Sequence, residues 1–206
     1  MINRKSAKIL TAPSVYPVSL TDVKTYLRID GSDDDAILNI YIKAATKTAE
    51  NYCGRYFINT TIEYFMDRFS DYTDDALDYE DLIFGTCNSI NLPYRPISSI
   101  TSVKTYDAAN TESTLSSSAY SLDFISGRIY LNEGYSWPTS LRTFQAVKVT
   151  FISGYGTAAT DVPASIQQGI LELVVKMYEC RGGCDMPESC KATFSEYRIL
   201  DHYGWV

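Results

Sequence analysis

Residues 32–66 read SDDDAILNIYIKAATKTAENYCGRYFINTTIEYFM, and within this one stretch the hydrophobic period changes. Ile37, Leu38, Tyr41, Ile42, Ala45, Ala49 and Tyr52 recur at three- and four-residue intervals, the spacing of an amphipathic helix over about 34–53 ending at Gly54. From about residue 58 the pattern alternates, and Thr60–Met66 reads as a strand with one buried face. A helix that gives way to alternation inside one chain predicts an α+β protein.

Ser19-Leu-Thr-Asp22 upstream is a capping box with Asp in place of Glu. It opens a helix near 20–28, with Leu20, Val23, Tyr26 and Leu27 on one face and Gly31 as its closing residue. The acids Asp33, Asp34 and Asp35 invite a calcium reading, but an EF-hand loop begun at Asp30 would place Asp35 where Gly is needed and Tyr41 where Glu is needed. The expectation is that one acid caps the helix and the others favour its positive end.

Downstream, short strands are expected at Ser89–Leu92, Ile100–Tyr106, Ala119–Phe124, Arg128–Leu131 and Ala146–Ile152. Proline, glycine and Asp107–Asn110 form the turns between them. Gly154-Tyr-Gly156 ends this β unit as a tight turn. Asp161-Val-Pro163 then starts a helix to about 181 with a wide apolar face, stopped by Gly182-Gly183.

The expected organisation is an N-terminal arm (1–16), a helical domain (17–57 plus 157–183), an inserted β domain (58–156) and a C-terminal tail (184–206). Put together, this is a small helical bundle with an inserted short-stranded barrel or sandwich and an extended tail. The three helices near 20–28, 34–53 and 163–181 should pack together, since none is long enough to bury its apolar face alone.

The 206 residues carry a net charge of −7, which disfavours wide wrapping of DNA, because affinity for phosphate comes mostly from Lys and Arg. No apolar run reaches the length of a membrane span and no secretory leader is evident, so the chain is expected to work where it is made. Little in it can run a reaction. There is one histidine, His202, with no nucleophile elbow, no Walker loop and no complete dinucleotide fingerprint. No catalytic residue and no cofactor is nominated.

Cys180, Cys184, Cys190 and His202 could hold zinc, although their spacings depart from the close two-residue knuckle. A disulfide among the tail cysteines is the second arrangement, and free thiols the third and preferred one. Asp67, Asp71, Asp74, Asp75, Asp78, Glu80 and Asp81 stand against the single base Arg68, as a solvated loop, a cation site or a lumen-facing patch. Seventeen tyrosines suit interfaces that are half wet. The tail aromatics Phe194, Tyr197, Tyr203 and Trp205 follow a Gly-Gly stop and are candidates for docking onto a partner, the alternative being that the tail folds back onto the subunit's own core.

The order of these signals is more specific than any one of them. PVSLTDVKTYLRID (17–30) precedes the acidic helix start and AATKTAENYCGR (44–55). LPYRP (92–96), SITSVKTYD (99–107), GYSWP (134–138), VKVTFISGYG (147–156), Val162-Pro163 and a helix ending in YECR (178–181) follow. Over about residues 15–181 this progression resembles the head–tail connector (adaptor, or head-completion) proteins of tailed bacteriophages and gene-transfer particles, often given a DNA-packaging label.

The resemblance implies a non-enzymatic structural protein of the virion, made in the host cytoplasm. It implies a ring, expected to be twelve-fold, beneath the portal protein. The ring would continue the DNA channel and carry the neck and tail-completion proteins, with DNA passing through unbound and the tail aromatics docking on the portal. Another neck or tail-completion ring protein, and a zinc-dependent binding module, are the alternatives.

Overall fold

The computed structural model describes residues 4–69, 89–181 and 185–199. Two units emerge: a β unit, Met1–Ala12 with Thr60–Ser153, and a helical unit, Pro13–Asn59 with Gly154–Val206.

In the helical unit, α1 (Leu20–Leu27), α2 (Asp35–Cys53), α3 (Ala164–Glu179) and α4 (Glu188–Ser195) pack around one core. The predicted capping box is present: Asp22 N donates to Ser19 Oγ at 3.1 Å and Ser19 N donates to Asp22 Oδ2 at 2.9 Å. α1 keeps the expected span, but its closing residue differs. Arg28, not Gly31, adopts the left-handed conformation (φ 57°) and turns its N–H back onto Lys24 and Thr25 carbonyls.

The stripe Leu38, Ile42, Ala45, Ala49 and Cys53 buries one face of α2, and Gly54 closes it in a left-handed conformation. At its start no acid caps the helix by side chain, contrary to expectation. Asp34 Oδ2 instead accepts the Tyr178 hydroxyl of α3 at 2.7 Å, and Asp35 pairs with Lys24 of α1 at 2.8 Å. The acids spend their oxygens tying three helices together.

The tail is not extended throughout. Residues 188–195 form α4, which buries Cys190 and Phe194 against α3 and α2. Gly169 makes this possible, because a Cβ there would lie 2.8 Å from Phe194 Cε1. Residues 57–59 and 154–156 run side by side, with Tyr155 N donating to Phe57 O and Asn59 N to Gly156 O. Gly154 (φ +143°) permits that approach: a Cβ there would sit 2.5 Å from Asn59 N.

The β unit holds two antiparallel sheets, ordered β1-β2-β8-β4-β5 and β3-β7-β6. Its strands are β1 (Lys5–Thr11), β2 (Thr60–Met66), β3 (Ser89–Asn91), β4 (Ile97–Tyr106), β5 (Glu112–Thr114), β6 (Tyr120–Asp123), β7 (Arg128–Leu131) and β8 (Val147–Ser153). β2 and β8, the first and last strands of the insertion, pair centrally from Thr60↔Ser153 to Met66↔Val147. Buried residues alternate strictly along β2, the pattern the sequence shows, and along β8 except at Thr150, which is buried as well.

The larger sheet ends in two edges, so among the described residues it is an open sheet and not a barrel. Lys5–Thr11, read as part of an arm, is a strand: it pairs with β2 from Lys5↔Met66 to Thr11↔Thr61. All seven of its residues are exposed, so it carries no burial pattern to read.

Candidate functional site

Two of the described cysteines, Cys53 and Cys190, are buried in the helical core. Burial pushes the Cys53 thiol up to about 11, and burial first, then Glu172, raises that of Cys190. Neither is poised as a thiolate, the form that attacks or binds metal. Their sulfurs lie 3.6 Å from the carbonyl oxygens of Phe194 and Gly169, contacts within the helical core. Cys53, Cys180 and Cys190 are free thiols. Among the described residues no three His, Cys, Asp or Glu side chains form a metal-holding group, while Cys184 and His202 lie outside those residues.

Arg142, Lys104 and Lys148 of the β unit are engaged by neighbours. Arg142 stacks over the Tyr106 ring at 4.3 Å and donates to Phe144 O, Gln145 O and Asn110 Oδ1. Lys104 and Lys148 both face Glu112, and Lys148 also faces Glu63 at 3.8 Å. The hydrogen bond from Lys104, then that from the Tyr106 hydroxyl, holds the Glu112 carboxyl down at about 2. Glu112 and Glu63 thus offset the charges of the two lysines.

The nominated acids divide. Asp67 accepts Arg4 N at 3.1 Å and Gln145 N at 2.8 Å, which pins the start of β1 beside the loop before β8. Beside it Phe69 stacks on Trp137 with ring centroids 4.4 Å apart, giving the GYSWP segment a packing role. Asp71, Asp74, Asp75, Asp78, Glu80 and Asp81 lie outside the described residues.

So do two of the four tail aromatics, Tyr203 and Trp205. Phe194 is fully buried, and Tyr197 is half-buried with its hydroxyl 2.6 Å from Ser165 Oγ. Arg55 Nε donates to the Tyr197 carbonyl and Ile199 N donates to Cys53 O. Up to residue 199 the tail folds back on its own subunit, as the alternative reading had it.

No local signal marks the largest exposed apolar pair among the described residues. Between β6 and β7 the turn presents Phe124 and Ile125, 59% and 93% exposed. Asp123 fastens this turn: its carboxylate accepts Ile125 N, Ser126 N and Ser126 Oγ, and its carbonyl accepts Gly127 N. Those bonds, the Ser126 hydroxyl foremost, lower the Asp123 carboxyl from its ordinary value. The Asp-x-x-Ser-Gly signature reads as a turn from sequence, but adjacent apolar residues held in solvent by a rigid turn are visible only in three dimensions. On the helical unit, Tyr26, Ile37 and Ile40 are likewise exposed on α1 and α2. Exposed apolar groups of this kind can bind a partner by shape and apolar contact.

The family described as phage gp6-like head-tail connector protein matches residues 17–127, which span parts of both units. The fold is similar to a chain from the neck of an empty gene transfer agent particle computed with C6 symmetry, with TM-score 0.76, 20% identity, and 97% of this chain and 98% of that one covered. It is also similar to a chain of the virion of a native gene transfer agent particle (TM-score 0.73, 20% identity) and to one from a native neck computed with C12 symmetry (0.67, 22%), both with the same coverage. No curated protein matches the sequence.

Proposed function

The chain belongs to the phage gp6-like head-tail connector family, and we propose on that premise that it is a structural, non-enzymatic ring subunit at the neck of a tailed particle. The observation that carries this reading is a family match reaching into both units, together with a fold followed almost end to end by chains from particle necks. The ring sits under the portal protein, carries the neck and tail-completion proteins and continues the DNA channel. Twelve copies are expected, assembled in the host cytoplasm and retained in the virion.

Physical features of the chain support the role. A net charge of −7 keeps a channel wall from gripping passing DNA, whereas a basic wall would bind and stall it. The acidic stretch from Asp67 to Asp81 is the segment assigned to the channel side. A ring subunit needs two lateral and two axial contact faces, and rigid exposed apolar groups such as Phe124 and Ile125 suit such faces. With Phe194 and Tyr197 committed to the core, portal docking falls to Tyr203 and Trp205. The test is to mix the purified protein with portal rings of the same particle and image the product. A coaxial second ring is expected, lost in the Trp205→Ala variant; a chain that stays monomeric and leaves the portal bare would refute the role.

A further inference from the structure

A subunit in a cyclic ring must present two different lateral surfaces that fit each other, because head-to-tail contacts close a ring whereas self-matching ones stop at a dimer. The larger sheet carries two such surfaces on opposite sides. Among the described residues, the outer side of β1 from Ser6 to Thr11 pairs with no further strand, nor does the outer side of β4 over residues 97–102, where β5 covers only Lys104–Tyr106. Resting on the ring reading above, we propose that β1 of one subunit pairs with the 97–102 edge of β4 in its neighbour, extending the sheet from subunit to subunit.

Strand parity favours this junction. Along β1-β2-β8-β4 every neighbour is antiparallel, so β1 and β4 run in opposite directions. A copy continued in the same sense therefore brings its β1 antiparallel to β4, the pairing that hydrogen-bonds best. The incoming strand would run in line with β5, which is also antiparallel to β4. Lengths agree as well, with seven residues on β1 and six along the open part of β4.

Chemistry selects between partners. β1 carries Lys5 and Lys8 beside Arg4, so pairing of two β1 strands would bring like charges together. The 97–102 edge, Ile-Ser-Ser-Ile-Thr-Ser, has no charge to oppose them. Ile9 and Leu10, 42% and 53% exposed, would add apolar contact beside the half-buried Ile100, while Ile97 is already buried in its own subunit. Lysines on an edge strand guard against indiscriminate pairing, which a subunit that must stay unassembled until its ring forms requires.

Disulfide and short-bismaleimide cross-linking of full-length assemblies tests the junction. Ser6→Cys, Ala7→Cys and Lys8→Cys are each combined with Ser99→Cys, Thr101→Cys or Ser102→Cys, sampling both faces and neighbouring registers. The unsubstituted chain, with its own cysteines, supplies the baseline. At least one pair should convert most of the protein into a ladder of dimers, trimers and higher rungs, absent from every single-cysteine variant. Dimers from a single β1 cysteine would mean self-pairing and overturn the proposal. Rings seen by electron microscopy with no ladder from any pair would overturn the edge junction and leave the ring standing. No ladder together with no ring would overturn both.

Discussion

Gly169 and Phe194 form a pair whose energetics test whether α4 is part of the helical core. Phe194 is fully buried and its ring lies directly over Gly169. Phe194→Ala removes a large aromatic side chain from a packed site and should cost about 3–5 kcal/mol. Gly169→Ala in the natural chain drives a methyl to 2.8 Å from Phe194 Cε1, forcing the ring or α3 to shift. That overpacking should cost about 1–3 kcal/mol, less the helix-propensity gain of Ala over Gly.

In the Phe194→Ala background the ring is gone and only the propensity gain remains, so the same change should stabilise by up to about 1 kcal/mol. The sign should therefore reverse between backgrounds. Urea unfolding followed by circular dichroism of all four chains gives the cycle directly. Equal effects of Gly169→Ala in both backgrounds would show that Phe194 does not sit on α3, and the account of a tail folded back to residue 199 would fail.

Ending the chain after Lys191 should unfold the helical unit, since it removes Phe194, Tyr197 and the Ile199–Cys53 hydrogen bond together; loss of helical circular dichroism is the readout. Asp67→Ala should destabilise the β unit by about 0.5–1.5 kcal/mol, because the exposed Arg4 and Gln145 amides lose its carboxylate and turn to water, seen as faster amide exchange at both. Glu50 gives a pH signature. Burial raises its carboxyl above the ordinary 4.5, against the opposing Phe57 amide and Lys47, so the folded state binds the proton more tightly. Its contribution is full below the unfolded value and is lost as pH rises through the folded one. Glu50→Gln should therefore gain in urea midpoint over the natural chain between pH 4 and pH 7.5, and a gain that shrinks over that range would contradict this. Phe124→Ser with Ile125→Ser should leave the unfolding midpoint within about 0.5 kcal/mol, as both side chains face solvent in the isolated chain.

What could be read beforehand follows from where burial leaves a mark. α2, β2 and β8 bury one face each, so their periods stand in the sequence. β1 and β5 are exposed at every residue and carry no burial period; β1 reveals itself only through a partner far along the chain, and β5 only through its hairpin with the end of β4. α4 has eight residues and buries only Cys190 and Phe194, too short a pattern to separate from a loop. The Ser19–Asp22 box was legible because capping is local, whereas Asp34 is drawn to Tyr178, 144 residues away. Likewise, nothing local distinguishes Phe194, which finds a glycine-floored pocket on α3, from the exposed Phe124 and Ile125.

The central claim is that this chain builds the neck ring between head and tail. The most direct test is gold labelling of an epitope on this protein in intact purified particles, imaged by electron microscopy. The account predicts one compact cluster of label per particle at the head–tail junction, present on filled and empty heads alike. Label spread over the capsid, confined to the distal tail, or missing from particles that remain infectious would contradict it.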